Sequence, residues 1–248
     1  MKKLIILGDS LSMPRPDFEY EKTYLCLLKK ILFDWDIIIK NRRSNDTEKT
    51  SRHLFKEIAF LKPDMVVIHL GIVDCAPRLF SKSEKKVVNK MPLFLQKRII
   101  DFLSKYRYFF TKYFKKTYVP DFKFEKCMTY IIKTIFDLGA VPIVINIAGT
   151  NSKNKLRSCG FEKNINRYNQ ILNNILKDFE INTIDINSKG TDVLLSDGIH
   201  LNEVGHQWVA EQIGKQITKK SMNNALMCPD CEKILDENEL GAWWCNCK

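Results

Sequence analysis

The sequence lacks long apolar stretches. Nowhere in its 248 residues does a run of about 18 uncharged apolar residues occur, which is the length that a membrane-spanning helix needs. Met1-Lys2-Lys3 is followed by only four apolar residues, Leu4 to Leu7, before Gly8-Asp9, and this is too short for a secretory signal peptide. Internal repeats and low-complexity tracts are not evident either. We therefore expect a cytoplasmic protein whose cysteines stay reduced.

The sequence is also poor in acidic residues relative to basic ones. It has 29 Asp and Glu against 40 Lys and Arg, which gives a net charge of +11. This charge makes anionic partners plausible, among them phospholipid headgroups, acidic or lipid-linked sugars and nucleic acid. A bias towards Lys, Asn and Ile accounts for much of the excess. Because no recognisable nucleic-acid-binding motif accompanies the charge, nucleic acid is not the partner that we expect.

Apolar runs and helical patterns alternate along the chain. The predicted strands are 4–7, 35–39, 65–70, 141–147 and 183–186, and the predicted helices are 20–32, 51–60, 123–138, 162–179 and a final one at 208–217. Strands that alternate with helices are typical of a doubly wound parallel sheet. We predict one α/β domain over residues 1–220, with an insertion at 76–120.

Two short motifs carry the residue types of a nucleophilic triad. Gly8-Asp9-Ser10-Leu11 ends the first predicted strand, and Asp197-Gly198-Ile199-His200 lies near the far end of the domain. A serine hydroxyl attacks a carbonyl well only when an imidazole accepts its proton and a carboxylate orients that imidazole. Ser10 follows a strand, at the sheet edge where open α/β folds bind ligands. The alternative is that Asp9 and Ser10 are ordinary turn residues and His200 a packing histidine.

Together the two motifs resemble the SGNH, or GDSL-type, hydrolase family, whose first block reads Gly-Asp-Ser-Leu and whose last block reads Asp-x-x-His. Leu201, Asn202 and Gly205, followed by a predicted helix, extend the likeness to the family's C-terminal block. The resemblance implies an α/β, flavodoxin-like, three-layer fold with a parallel sheet and no cofactor for catalysis. It also implies that Ser10 is the nucleophile, His200 the general base and Asp197 the residue that orients His200.

Two other blocks of the family depart from its pattern in this sequence. The second block carries a glycine whose backbone N–H faces the oxyanion, and the matching residue here is Asn45. The third block reads Gly-x-Asn-Asp, with the asparagine amide as a second donor, but this chain has Gly71-Ile72-Val73-Asp74. Val73 cannot donate a hydrogen bond. The loss of one oxyanion donor raises the barrier by about 3 kcal/mol.

Three interpretations of Val73 are open. The Asn45 amide replaces the missing donor, the acyl substrate is activated or unusual, or the domain has drifted towards binding or acyl transfer. We favour the first, because asparagine tolerates the left-handed backbone of a glycine-like turn. The resemblance then implies an oxyanion and substrate-binding region formed by Asn45, Gly71, Asp74 and Asp9. Cys75 beside it is expected to be a buried thiol that fills space.

The insertion at 76–120 is basic and aromatic, and a compact α/β domain does not need it. On one continuous helix a single face would hold Ile99, Phe102, Leu103, Tyr106, Phe109 and Phe110, with lysines elsewhere. Three interpretations are open here as well. The segment is a lid over the catalytic pocket, a surface at 91–118 that binds an anionic membrane, or a helical hairpin that packs on the domain.

The end of the chain holds a second chemical signal. Residues 221–226 are polar and predict a linker to a small unit at 227–248. Its cysteines form a Cys-x-x-Cys and a Cys-x-Cys pair, at a spacing typical of a zinc ribbon: Cys228, Cys231, Cys245 and Cys247. In a reducing compartment the four thiolates predict one structural zinc ion, and the alternative is a tail with redox-active thiols. Four protein ligands leave no position for a catalytic water.

These motifs predict a serine esterase that hydrolyses an O-acyl ester. The favoured substrate is an O-acetyl group on a glycan or a related small metabolite, an inference from the range of the family. The alternatives are a noncatalytic binding or scaffolding module, which Val73 keeps open, and an acyltransferase in surface-polysaccharide or lipid assembly. Peripheral contact with an anionic membrane through 91–118 stays compatible with the cytoplasmic location that we expect.

Overall fold

Five parallel strands form the central sheet of the protein. The computed structural model describes residues 1–15, 18–181, 183–225, 236–237 and 243–244. The strands are β1 (Lys2–Gly8), β2 (Trp35–Asn41), β3 (Met65–His69), β4 (Val141–Ile145) and β5 (Thr183–Ile184). Their order in the sheet is β2-β1-β3-β4-β5, the doubly wound order of flavodoxin-like folds. The predicted α/β class with a parallel sheet is confirmed.

Helices connect the strands and cover both faces of the sheet. They are α1 (Tyr24–Ile31), α2 (Thr47–Ile58), α3 (Ile72–Cys75), α4 (Lys82–Val88), α5 (Leu93–Lys105), α6 (Arg107–Phe114), α7 (Asp121–Asp137), α8 (Ser152–Arg157), α9 (Phe161–Asp178) and α10 (Glu203–Ala225). None of the helices that the structure describes is long and apolar enough to cross a bilayer.

The strand β1 shows how two cores share one sheet. Its side chains alternate, so that Leu4 and Ile6 pack with apolar residues of α1 and α10, while Ile5 and Leu7 pack with those of α2, α7 and α9. Because helices cover both faces, the strand is a continuous apolar run instead of an alternating one. The carboxyl ends of β1, β3 and β4 lie together at one edge of the sheet, where the candidate site is found.

Several boundaries differ from the sequence-based prediction. A short 3-10 turn at Tyr20–Lys22 precedes α1, which therefore begins at Tyr24. The helix α2 begins at Thr47, because Asp46 caps it by accepting a hydrogen bond from the backbone N–H of Lys49 at 2.9 Å. The helix α10 extends to Ala225 and so includes most of the predicted linker at 221–226.

The insertion at 76–120 folds into α4, α5 and α6. The predicted continuous apolar helix is broken at Tyr106, whose φ of −103° and ψ of 26° separate α5 from α6. On α4, Lys82 lies 2.8 Å from Glu48 and 3.0 Å from Asp46, so an ion-pair cluster joins the insertion to the start of α2.

Only two short segments of the predicted C-terminal unit are described. The strands β6 (Asp236–Glu237) and β7 (Trp243–Trp244) pair with each other in antiparallel orientation. The four cysteines of the predicted zinc site lie outside the described residues. The described cysteines are free thiols: Cys26, Cys75, Cys127 and Cys159.

Candidate active site

Ser10 lies on the turn that follows β1. This strand ends at Gly8, and a 3-10 turn then covers Ser10–Ser12. The carboxylate of Asp9 accepts a hydrogen bond from the backbone N–H of Leu11 at 2.8 Å, and the Ser12 hydroxyl donates to the Asp9 carbonyl at 2.9 Å. These bonds fix the turn, which holds Ser10 at the carboxyl edge of the sheet.

The structure brings Ser10, His200 and Asp197 together. Oγ of Ser10 lies 3.1 Å from Nε2 of His200, and Nδ1 of the same ring lies 2.7 Å from Oδ2 of Asp197. Both distances are within hydrogen-bond range, so one imidazole joins a serine hydroxyl to a carboxylate. A proton can therefore pass from Ser10 to a ring whose orientation Asp197 fixes.

A tight turn presents both Asp197 and His200. Oδ1 of Asp197 accepts hydrogen bonds from the backbone N–H groups of Ile199 at 2.9 Å and His200 at 3.0 Å. Gly198, which follows Asp197 in this turn, has a φ of 66°. A Cβ at this position would lie 2.2 Å from the side chain of Asn151. Glycine is therefore the residue that this turn accepts.

Two side chains from the segment after β4 donate hydrogen bonds to the backbone of this turn. The Thr150 hydroxyl donates to the carbonyl of Gly198 at 2.8 Å, and the Asn154 amide donates to the carbonyl of Asp197 at 2.7 Å. Both contacts come from the loop and short helix that follow the carboxyl end of β4. The sequence gave no signal for Asn154, which belongs to α8 and acts on the turn through a backbone carbonyl.

The electrostatics favour a neutral imidazole and an ionised carboxylate. Burial lowers the pKa of His200, and the hydrogen bond and charge of Asp197 oppose this without reversing it; the charges of Arg15 and Arg43 add to the lowering. Burial alone would raise the pKa of Asp197. Hydrogen bonds from the backbone N–H groups of His200 and Ile199 and from the His200 ring outweigh burial, and the pKa of Asp197 is lowered. Near neutral pH, His200 can act as a base.

Arg15 is a charged neighbour that the sequence analysis missed. Its Nη2 lies 3.7 Å from Oδ2 of Asp197, the oxygen that also faces His200. The only sequence signal for this residue is its position shortly after the Gly8-Asp9-Ser10 motif.

Asn45 is buried beside the nucleophile turn, and two of its three donor hydrogens already have partners. Its backbone N–H donates to the carbonyl of Arg42 at 3.2 Å, and Nδ2 donates to the carbonyl of Gly8 at 3.2 Å. The left-handed residue of this turn is Ser44, with φ of 55°, so the expected glycine-like backbone at Asn45 is wrong. A role for Asn45 at the oxyanion depends on the second hydrogen of Nδ2.

The carboxyl groups of Asp9 and Asp74 are fully buried. Oδ1 of Asp74 accepts hydrogen bonds from the backbone N–H of Thr47 at 3.0 Å and from its hydroxyl at 2.5 Å. Burial is the main cause that raises the pKa of each carboxyl to about 7, against the hydrogen bonds from Leu11 and Thr47. These groups support the nucleophile turn and the start of α2 from below. Their full burial gives no support to the expectation that they contact the substrate, which stays a prediction.

The third-block residues have packing roles. Gly71 has φ of 126°, and a Cβ there would lie 2.6 Å from the side chain of Ile147, so Gly71 allows the ends of β3 and β4 to approach. Gly71 is itself buried, as is Val73, whose side chain offers no donor. Cys75 is fully buried in the core, as predicted.

A buried cluster of two histidines and a tyrosine lies next to the nucleophile turn. The Tyr24 hydroxyl is 3.3 Å from Nδ1 of His69, which pairs in register with Gly8, and the backbone N–H of Tyr24 donates to Nδ1 of His206 at 3.2 Å. Burial lowers the pKa of His69 to about 3 and that of His206 to about 4. No sequence motif indicates this cluster, because its members lie far apart along the chain.

Comparison with known proteins identifies a family. Residues 39–213 match the protein-family model described as GDSL-like Lipase/Acylhydrolase. The matched range contains Asp197 and His200 and begins after Ser10. No curated protein sequence matches the chain.

Solved structures share the fold of this chain at low sequence identity. A lipase/acylhydrolase from Enterococcus faecalis has a TM-score of 0.63 and 17% identity, over 89% of this chain and 97% of that one. The acetyl xylan esterase AlAXEase has a TM-score of 0.60 and 18% identity, over 87% and 99%. A catalytic mutant of Axe2, an acetylxylan esterase from Geobacillus stearothermophilus, has a TM-score of 0.59 and 15% identity, over 87% and 94%.

Proposed function

Because this chain belongs to the GDSL-like lipase/acylhydrolase family, we propose that Ser10, His200 and Asp197 form its catalytic triad. The family makes the protein an ester hydrolase. The observation that carries the proposal is the continuous hydrogen-bonded line from Oγ of Ser10 through the ring of His200 to Asp197, at 3.1 Å and 2.7 Å.

In the proposed cycle, Nε2 of His200 accepts the proton of Ser10 as Oγ attacks the ester carbonyl. The protonated ring then gives this proton to the leaving alcohol, and the acyl group stays on Ser10. His200 next takes a proton from water, whose oxygen attacks the acyl-enzyme, and returns it to Oγ as the acid leaves. Asp197 stays ionised and stabilises the imidazolium in both steps.

We infer that fewer donors hold the oxyanion here than in the family pattern, because the backbone N–H of Asn45 is bonded to the Arg42 carbonyl. We assign this role to the backbone N–H of Ser10 and to the second hydrogen of Nδ2 of Asn45. Val73 stands where the family's pattern has an amide, and the loss of one preorganised donor costs about 3 kcal/mol in the barrier. A modest turnover on unactivated esters is the consequence that we expect.

For the substrate we propose an O-acetyl group on a carbohydrate or a related small metabolite. Two of the solved structures compared above are acetyl xylan esterases, and they support the proposal only through the shared fold. Acetylated xylo-oligosaccharide should be hydrolysed with a higher kcat/KM than p-nitrophenyl octanoate. A higher kcat/KM for the octanoate would exclude the acetyl-glycan assignment and leave the triad intact.

Hydrolysis of p-nitrophenyl acetate by triad variants tests the mechanism. Ser10→Ala and His200→Ala should abolish turnover while the circular dichroism spectrum stays that of the parent, and Asp197→Ala should leave measurable turnover because Asp197 only orients the base. The matched control is Ser188→Ala, an exposed serine on the 3-10 turn that begins at Ile186. Full activity in Ser10→Ala would end the proposal. Covalent labelling by a fluorophosphonate without ester turnover would instead indicate acyl transfer.

A further inference from the structure

The helices α5 and α6 carry large apolar side chains that the described part of the chain leaves uncovered. None of the 13 residues of α5 is buried by the described residues, and in α6 only Thr111 is. Five of the exposed fractions are 81% for Leu93, 69% for Phe94, 57% for Phe102, 54% for Phe109 and 63% for Tyr113. A soluble monomer rarely exposes a contiguous apolar surface of this kind unless the surface binds something.

The same surface is strongly basic. Residues 91–118 contain Asp101 as their single acid against these bases: Lys97, Arg98, Lys105, Arg107, Lys112, Lys115 and Lys116. Lys97, Lys105 and Lys112 are exposed, whereas Lys116 pairs with Glu84 at 2.7 Å. Exposed cations thus lie among the exposed aromatic rings.

Contacts at the start of α6 fix this surface beside the catalytic turn. The guanidinium of Arg107 donates to the Ser158 hydroxyl at 2.7 Å and to the Pro77 carbonyl at 2.9 Å. Ser158 follows α8, and α8 holds the carbonyl of Asp197 through Asn154 at 2.7 Å. The start of α6 is therefore joined, through Ser158 and α8, to the turn that carries Asp197.

We propose that α5 and α6 form a docking surface for an anionic membrane. Aromatic and aliphatic side chains flanked by lysine and arginine are the composition of helices that lie in the headgroup region of a bilayer. A second copy of the chain suits the surface less well, because a two-fold contact would oppose the same lysines. The proposal does not depend on the triad, and it adds that the esters reached in the cell include amphiphilic ones at a membrane surface.

Flotation of the full chain with lipid vesicles tests the proposal. We expect binding to vesicles that contain phosphatidylglycerol, weaker binding to pure phosphatidylcholine, and weakening by salt. Lys97→Glu with Lys105→Glu should reduce the partition coefficient by at least about tenfold, since each basic residue near the surface contributes attraction to anionic lipid. Phe94→Ser with Phe109→Ser should reduce it at least about tenfold as well, because buried aromatic area is lost.

Matched controls lie on other parts of the surface. Phe33→Ser with Phe60→Ser removes two other exposed aromatic rings, and Lys29→Glu with Lys30→Glu reverses two exposed charges on α1. Both pairs should bind vesicles like the parent, and all variants should keep the parent's turnover of p-nitrophenyl acetate. If Ser10→Ala loses turnover of p-nitrophenyl acetate and still binds vesicles, the catalytic triad and the membrane surface are shown to act independently.

Three results would overturn the membrane proposal. The first is no binding of the full chain to phosphatidylglycerol vesicles at low salt. The second is equal loss of binding in the control pairs. The third is a dimer in sedimentation that Phe94→Ser with Phe109→Ser converts to a monomer, which would assign this surface to a second copy of the chain.

Discussion

Val73 is the single residue at which the proposed chemistry is weakest, because it stands where an amide would hold the oxyanion. We expect Val73→Asn to raise kcat on p-nitrophenyl acetate by about tenfold or more, since one oxyanion donor is worth about 3 kcal/mol. Val73→Ala, which changes the volume without adding a donor, should give no increase. If Val73→Asn melts like the parent and turns over no faster, another group already fills that position.

Arg15 gives the site a testable pH dependence. The base must be neutral, so activity is lost as pH falls through the pKa of His200, which burial places below its ordinary 6.5. The positive charge of Arg15 contributes to this lowering. Arg15→Ala should therefore move the acid midpoint of the kcat/KM profile to higher pH, whereas Arg42→Ala, whose guanidinium pairs with Glu57, should leave it in place. A downward shift in Arg15→Ala would contradict the electrostatic account.

For single residues, the sequence predicted which side chains meet at the site better than it predicted which of them face the substrate pocket. Ser10, Asp197 and His200 lie within hydrogen-bond distance of one another along one line, as the two motifs predicted. Asp9 and Asp74 were expected to contact the substrate, yet both are fully buried. Packing between elements that are distant in the sequence decides whether such a carboxyl group faces the pocket or the core. A short motif carries no information about that packing.

Individual elements followed their apolar patterns, and their ends followed local caps. All five strands of the central sheet were predicted. The helix α2 starts at Thr47 because Asp46 caps it, and the predicted start at residue 51 did not take this cap into account. The break at Tyr106 had no signal either, since 97–114 contains neither proline nor glycine. The exposure of α5 was equally hidden, because periodicity defines an apolar face without saying what covers it.

For the C-terminal segment we propose one structural zinc ion held by Cys228, Cys231, Cys245 and Cys247. The antiparallel pairing of β6 with β7, both of which lie between the two cysteine pairs along the chain, supports a hairpin that would bring the pairs together. Elemental analysis should give one zinc per chain.

Two double variants separate structure from catalysis in this segment. Cys228→Ser with Cys231→Ser should abolish zinc binding and make residues from about 227 onward sensitive to protease, while turnover of a small ester persists. Cys26→Ser with Cys159→Ser should keep the metal. A full chain without zinc would refute the site, and immediate loss of turnover on chelation, with the tail still resistant to protease, would refute a purely structural role.

Two pairs of buried groups make the stability of the whole molecule depend on pH in opposite directions. His69 and His206 have lowered pKa values, so below about 6.5 the unfolded chain binds more protons than the folded one, and stability falls as pH falls. Asp9 and Asp74 have pKa values raised to about 7, so between about 4 and 7 the folded chain binds more protons, and stability rises as pH falls. Each group contributes about 1.4 kcal/mol per pH unit within its window.

Melting temperatures at pH 5 and pH 7 test these signs. We expect Asp74→Asn to lose more stability than the parent on going from pH 7 to pH 5, because it lacks one group that stabilises the acid side. His206→Asn should lose less, and exposed His53→Asn should match the parent. If His206→Asn lost more stability than Asp74→Asn between pH 7 and pH 5, the pKa directions of these two buried groups would be contradicted.

The central claim, that Ser10 is the nucleophile, is tested most directly by locating a covalent adduct. The full chain is treated with a fluorophosphonate and digested, and the modified peptide is sequenced by mass spectrometry. We predict a single phosphonylated residue, Ser10, with labelling strongly slowed in His200→Ala and absent in Ser10→Ala. Modification of another serine, or equal labelling of Ser10→Ala and the parent, would contradict the account.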